Sequence, residues 1–141
     1  MYYSGKKKRH TLKTQLVVEK KSKKIICTSH CRGKIHDLKL FKKSKIKLKK
    51  KTRMELDLGY FGMEKLHKNI RIPKKSSKYH PLTKTEKLYN KRVSRSRVVV
   101  EHVIGKIKVF RIMAERYRNR RKRHTLRMQL ICSIYNMELR K

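Results

Sequence analysis

Pro73 and Pro81 are the only prolines of this 141-residue chain, and they bracket a run containing Lys74, Lys75, Ser76 and Ser77. Proline fixes φ and lacks the backbone donor that helices and sheet ladders need. No regular element therefore crosses residues 71–83, which read as the one clear loop. Every element must form on one side or the other.

Ahead of the loop, Leu-Lys-Thr-Gln-Leu-Val-Val-Glu at 12–19 and Lys-Ile-Ile-Cys-Thr-Ser at 24–29 are rich in β-branched residues. The polar break at Lys20, Lys21, Ser22 and Lys23 makes them a β-hairpin. After Gly33, a short helix is expected with Asp37 in its first turn and Leu38, Phe41 and Ile46 along one side. Residues 53–58 alternate as a strand ending at Gly59, and 63–67 suit a helical turn. Behind the loop, Thr83 and Glu86 have capping-box spacing. A long helix is expected from Ser94 to Met113, with Val99, Val103, Ile107 and Phe110 on its apolar side. Ser94, Arg97, Glu101, Gly105 and Lys108 fall on the other. A last helix over 125–139 is expected to bury Leu126, Leu130, Ile134 and Met137.

Charge narrows the function. Lys and Arg number 44 against 9 acids, a net +35. Such a field favours a polyanionic partner, nucleic acid before an anionic membrane. No apolar run reaches the ~18 residues that span a bilayer, and no apolar signal core stands at the N-terminus. The expectation is a soluble cytoplasmic protein of one domain, 1–141, with no membrane partner. Cys27, Cys31 and Cys132 form no disulfide framework. With His30 and His36 near the first two, the cluster resembles half of a zinc site, but a second ligand pair at zinc spacing is missing. Reduced thiols are the better reading.

Only Asp37 and Asp57 are aspartates, beside seven glutamates. Asp57, at the end of the expected strand and before Leu58-Gly59-Tyr60, has a firm base and an open approach, as a metal ligand needs. A plain turn aspartate is the alternative. Glu101 stands in the most basic half, either as a metal-holding carboxylate or as the partner of Arg97 or Lys108 in a helical ion pair. Spacing alone leans to the ion pair. The run Arg116-Tyr-Arg-Asn-Arg-Arg-Lys-Arg-His124 is the strongest phosphate-binding patch: Arg116, Arg118, Arg120, Arg121, Lys122 and Arg123, with Lys108 and Arg97 on the helix. Contacts of this kind give affinity without sequence readout. Tyr117 stacks on an unpaired base or packs between helices. Lys6, Lys7, Lys8 and Arg9 suit a flexible basic tail.

Several ordered segments resemble the DDE-superfamily endonucleases, the transposases of bacterial insertion sequences. They are Tyr2-Tyr-Ser-Gly-Lys-Lys-Lys-Arg-His-Thr-Leu-Lys13, Gly33-Lys-Ile-His36-Asp37 and Leu56-Asp57-Leu-Gly-Tyr60-Phe-Gly62. The region from Asn90 to Asn136 adds Ser94-Arg95, Val100-Glu101-His102, Gly105, Lys108, Phe110, Tyr117-Arg-Asn-Arg-Arg121 and Ile134-Tyr-Asn136. The resemblance implies an α/β, RNase H-like fold and DNA (transposon ends and target) as partner. It makes Asp57 and Glu101 the second and third catalytic, metal-binding acids for Mg²⁺ or Mn²⁺. In that family the first aspartate lies on a strand upstream of the segment that here begins at Tyr2. The expectation is thus an N-terminally truncated transposase, with an incomplete mixed sheet lacking its first central strand and packed with C-terminal helices. It is expected to bind DNA at the nucleoid and to be inactive alone, completed by a missing N-terminal part or acting as a homo-oligomer. Asp37 is expected to cap its helix or support the site. The alternative is a non-catalytic basic nucleic-acid-binding protein of ribosome-associated type, which has no need for acids in this order.

Overall fold

The structure, a computed structural model, describes residues 3–4 and 8–139. Of the expected basic tail, Lys6 and Lys7 lie outside the described residues, as do Tyr2 and Gly5 of the first family-like segment. The chain divides into two compact units, Met1–Lys34 with Val99–Lys141, and Ile35–Val98.

In the first unit, β1 (Tyr3–Ser4) pairs antiparallel with β2 (Arg9–His10), and β3 (Leu12–Val18) with β4 (Ile25–Arg32). The second pair is the expected hairpin. Its register runs from Leu12 opposite Arg32 to Val17 opposite Cys27, with an irregularity at Val17/Val18. Glu19 N–H donates to Lys24 O (2.9 Å) to close the turn, where Lys23 takes a left-handed φ of 59°. At the far end Gly33 N–H donates to Thr11 O (2.9 Å), and a Cβ on Gly33 would overlap Thr11 Oγ1, so only glycine fits.

Helix α2 (Lys84–Ile107) begins in the expected capping box: Glu86 N–H donates to Thr83 Oγ1 (3.2 Å), and Thr83 N–H to Glu86 Oε2 (3.1 Å). The helix starts ten residues before Ser94 and stops short of Met113. Its last turn tightens, with Val109 N–H on Lys106 O and Phe110 N–H on Ile107 O. The chain then re-enters a short helix, α3 (Arg111–Ala114), that brings Ile112 and Met113 onto the core. Continuing straight would have carried both away from it. Val103 (1% exposed) and Ile107 are buried as expected, whereas Phe110 is exposed.

Helix α4 (His124–Glu138) corrects the expected buried row. Leu126, Leu130 and Met137 are exposed, each above 60%, while Met128, Ile131, Cys132 and Tyr135 are buried. The helix is apolar on both stripes, so periodicity could not choose between them. Polar partners choose: the Asn136 side chain accepts from Ile25 N–H and donates to Ile25 O (both 2.9 Å), and Tyr135 O–H donates to Lys23 O (3.1 Å). These bonds turn the Met128–Tyr135 stripe onto Ile25, Leu16, Val18, Val103 and Ile107. Burial also raises the Cys132 thiol to about 11, as suits an inert core residue.

The second unit is built on Phe41, Met54, Met63 and Ile72. Helix α1 (Asp37–Ser44) buries Leu40 and Phe41 and ends where Lys45 turns left-handed, so Ile46 reaches the core from beyond the helix. The expected strand over 53–58 shrinks to β5 (Met54–Glu55), paired parallel with β6 (Ile70–Arg71). It stops because Asp57 turns the chain into a 3₁₀ turn at Leu58–Tyr60, followed by another at Met63–Lys65. The described strands thus form three separate two-stranded ladders in a mixed α/β structure with C-terminal helices, instead of one mixed sheet. No helix of the described residues is long and apolar enough to cross a membrane.

Candidate functional site

Asp57 stands at the N-cap of the Leu58–Tyr60 turn, not at a strand end. Its Oδ1 accepts from Leu58 N–H (2.7 Å) and lies 3.2 Å from Arg97 Nη1. Its side chain is 57% exposed, and Oδ2 takes no bond from the described residues. Ser96, one residue before Arg97, donates its hydroxyl to the Glu55 carboxylate. Two consecutive residues of α2 therefore hold Glu55 and Asp57. An exposed pair such as Arg97–Asp57 adds at most ~1 kcal/mol, but it aims the carboxylate.

Asp37 opens α1 and lies against this turn: a Cβ on Gly59 would collide with Asp37 Oδ2. A short, helix-anchored side chain cannot step aside easily. Gly59→Ala is expected to destabilise the chain by about 1–3 kcal/mol, the usual cost of forcing atoms into occupied space, read as a lower urea midpoint. An unchanged midpoint would show that the turn yields freely.

Glu101 belongs to the unit containing Val99–Lys141, whereas Asp57 belongs to Ile35–Val98. It is exposed one turn beyond Arg97 on α2, and among the described residues it takes no hydrogen bond or ion pair. The helical ion pair expected for Glu101 is not formed among the described residues: Arg97 is on Asp57 instead, and Lys108 does not pair with it. Among the described residues, no three His, Cys, Asp or Glu side chains converge as a metal cage.

Lys108, Arg116, Arg118, Arg120, Arg121, Lys122 and Arg123 are all exposed. What seats the basic run is a ring stack that sequence reading missed. Tyr117 meets His124 edge-on (centroids 5.0 Å apart), and His124 meets His30 of β4 likewise (5.2 Å). Arg127 Nη1–H donates to Tyr117 Oη (2.9 Å), Tyr117 O–H to Arg120 O (3.2 Å), and His30 Nδ1 lies 3.1 Å from Thr14 Oγ1. The Tyr117 ring is thus packed inside the unit. The only sequence hint was an aromatic residue amid arginines.

Desolvation, and then the neighbouring His124, lowers His30 from 6.5 to about 4; desolvation lowers His124 too. Both rings are favoured neutral in the fold. The His30 contribution is complete above pH 6.5 and is lost as pH falls from there toward 4, and the lowered His124 acts in the same direction. For the partly exposed His30 ring the loss at pH 5 is on the order of 1–2 kcal/mol. Urea midpoints at pH 7.5 and pH 5 should therefore diverge, and His30→Gln should shrink the difference. An equal difference in both proteins would clear the stack of responsibility.

The family described as DDE superfamily endonuclease matches residues 1–136. The chain is 46% identical over 138 residues to a protein named "Probable transposase for insertion sequence element IS702" from Microchaete diplosiphon. That match covers 98% of this chain and 50% of the relative, so the chain spans about half that protein's length. No solved structure matches it.

Proposed function

The chain belongs to the DDE superfamily endonucleases, and from that premise we propose that it is part of an insertion-sequence transposase that binds DNA and contributes two carboxylates to metal-dependent phosphodiester cleavage and strand transfer. The observation that carries this reading is 46% identity to the IS702 protein along 98% of the chain. Residues 1–141 are read as part of one RNase H-like catalytic domain acting on nucleoid DNA in the cytoplasm.

The donor set suits a hard divalent cation. Asp57 offers an exposed carboxylate with Oδ2 unengaged among the described residues, and Glu101 offers another. Mg²⁺ or Mn²⁺, when bound, stabilises negative charge gathering on phosphodiester oxygens. Of the chain's own groups, Arg97 orients Asp57, while Arg116, Arg118, Arg120, Lys122 and Arg123 hold the DNA backbone by charge. The first family aspartate is assigned to sequence outside these 141 residues, the remainder of the enzyme. The chain by itself is therefore proposed to bind DNA without cutting it.

Supercoiled DNA with Mg²⁺ or Mn²⁺ tests this. The expected result is no nicking by the chain alone, and nicking once it is joined to the part of the IS702 relative outside the match. Robust nicking by the chain alone would overturn the dependence on a supplied acid. Failure to bind duplex DNA at all would overturn the transposase reading.

A further inference from the structure

Between α1 and β5 the chain runs through Lys45-Ile-Lys-Leu-Lys49, and burial alternates with sequence. Ile46 and Leu48 are half-buried against the core of their unit, whereas Lys45, Lys47 and Lys49 are exposed. Lys42, Lys43 and Lys50, also exposed, flank the run, and no acid occurs from residue 38 to residue 54. Alternating exposure puts Lys47 and Lys49 on the solvent side of the run, and Lys45 stands at the left-handed turn (φ 51°) that ends α1.

A lysine run is ordinarily a solvated, mobile face. This one is fastened at both ends. Ser44 O–H donates to Phe41 O (2.6 Å) and Lys45 N–H to Lys42 O (3.5 Å) where α1 stops. At the other end His67 Nε2–H donates to Lys49 O (3.3 Å), its tautomer set by Asn69 N–H donating to His67 Nδ1 (3.2 Å). Asn69 Nδ2–H donates to Lys51 O (3.1 Å), and Thr52 N–H closes a turn onto Lys49 O (2.8 Å). The backbone is held by its own unit at both ends of the run, so the three lysine side chains start from anchored points.

We infer that this strap is a second DNA-binding surface, separate from residues 116–123, in which Lys45, Lys47 and Lys49 contact successive phosphates of one strand of duplex DNA. The inference rests on the transposase reading for its choice of DNA. Successive phosphates of one strand lie about 3.4 Å apart along the duplex axis and farther apart along the winding backbone, a spacing that flexible lysine side chains two residues apart can match. Fixed starting points reduce the ordering cost that usually discounts lysine contacts. The surface reads charge and spacing, not bases.

The test is duplex binding across a salt series by fluorescence anisotropy, using a labelled duplex of arbitrary sequence. The full chain is compared with K45Q/K47Q/K49Q and with K74Q/K75Q/K78Q, which removes the same charge from an exposed loop of the same unit. Each phosphate contact contributes about 0.9 to the salt slope. The strap variant is expected to lose about 2–3 from that slope and at least ~10-fold in affinity, while the loop variant loses less than ~1 and less than ~3-fold. Equal losses in both, or none in the strap variant, would overturn the inference while leaving the transposase reading standing. Protection of Lys45, Lys47 and Lys49 from acetylation by bound duplex would support the inference, and absence of protection would overturn it. If the strap variant loses RNA-duplex binding but keeps DNA binding, the assignment to DNA is wrong. A full chain that binds no duplex would remove the parent reading and the strap with it.

Discussion

Asp57→Asn and Glu101→Gln are each expected to lower metal-dependent nicking by the completed enzyme at least ~10³-fold, with duplex binding changed less than ~3-fold. Each substitution keeps shape and removes one negative charge. A hard cation binds anionic oxygen far better than an amide oxygen. Losing one ligand forfeits several kcal/mol of charge stabilisation in the transition state, and ~4 kcal/mol is about three decades in rate. The two variants differ in a second readout. Asn at 57 loses the charged partner of Arg97, so its urea midpoint should fall by up to ~1 kcal/mol equivalent. Gln at 101 removes no interaction with the described residues, so its midpoint should hold. Glu115→Gln is the control, since that acid meets only Arg111 across 4.0 Å at the surface. If both site variants kept full nicking, these carboxylates would not be the ligands.

Asn136→Ala should cost about 2–4 kcal/mol of folding stability, a larger effect than any surface change in the first unit. The Asn136 amide imitates a neighbouring strand: it satisfies both the N–H and the C=O of Ile25, a residue only 6% exposed. Alanine would leave one buried donor and one buried acceptor without partners, each at about 1–3 kcal/mol. Tyr135→Phe gives the comparison. It deletes one bond, to Lys23 O in the hairpin turn, and keeps the ring in the core, so about 1 kcal/mol is expected. Urea unfolding read by circular dichroism measures both. An Asn136→Ala chain within ~0.5 kcal/mol of the parent would mean that α4 is held by apolar burial alone. In that case Leu126, Leu130 and Met137 could have served as its inner face equally well.

What the chain determines by itself is local. The β-branched runs and their lysine-rich break make the hairpin, because alternation and turn chemistry act over a few residues. Thr83 and Glu86 cap α2 through partners three positions apart, and Pro73 and Pro81 keep regular structure out of the loop. The ordered motifs around Asp57 and Glu101 also carried the family in the sequence alone. Tertiary structure decided whatever depends on partners far along the chain. Which stripe of α4 faces inward follows from Asn136 and Tyr135 meeting a hairpin more than 100 positions earlier. Arg97 had a helical acid four residues away and a turn acid forty positions back, and it bonds the distant one. Tyr117 could stack on a base or pack inward, and His124 at its edge with Arg127 over its ring commits it to packing. Periodicity measures how apolar a face is, not what stands opposite it. Where two faces or two partners are chemically equivalent, the choice falls to the contacts that folding brings together.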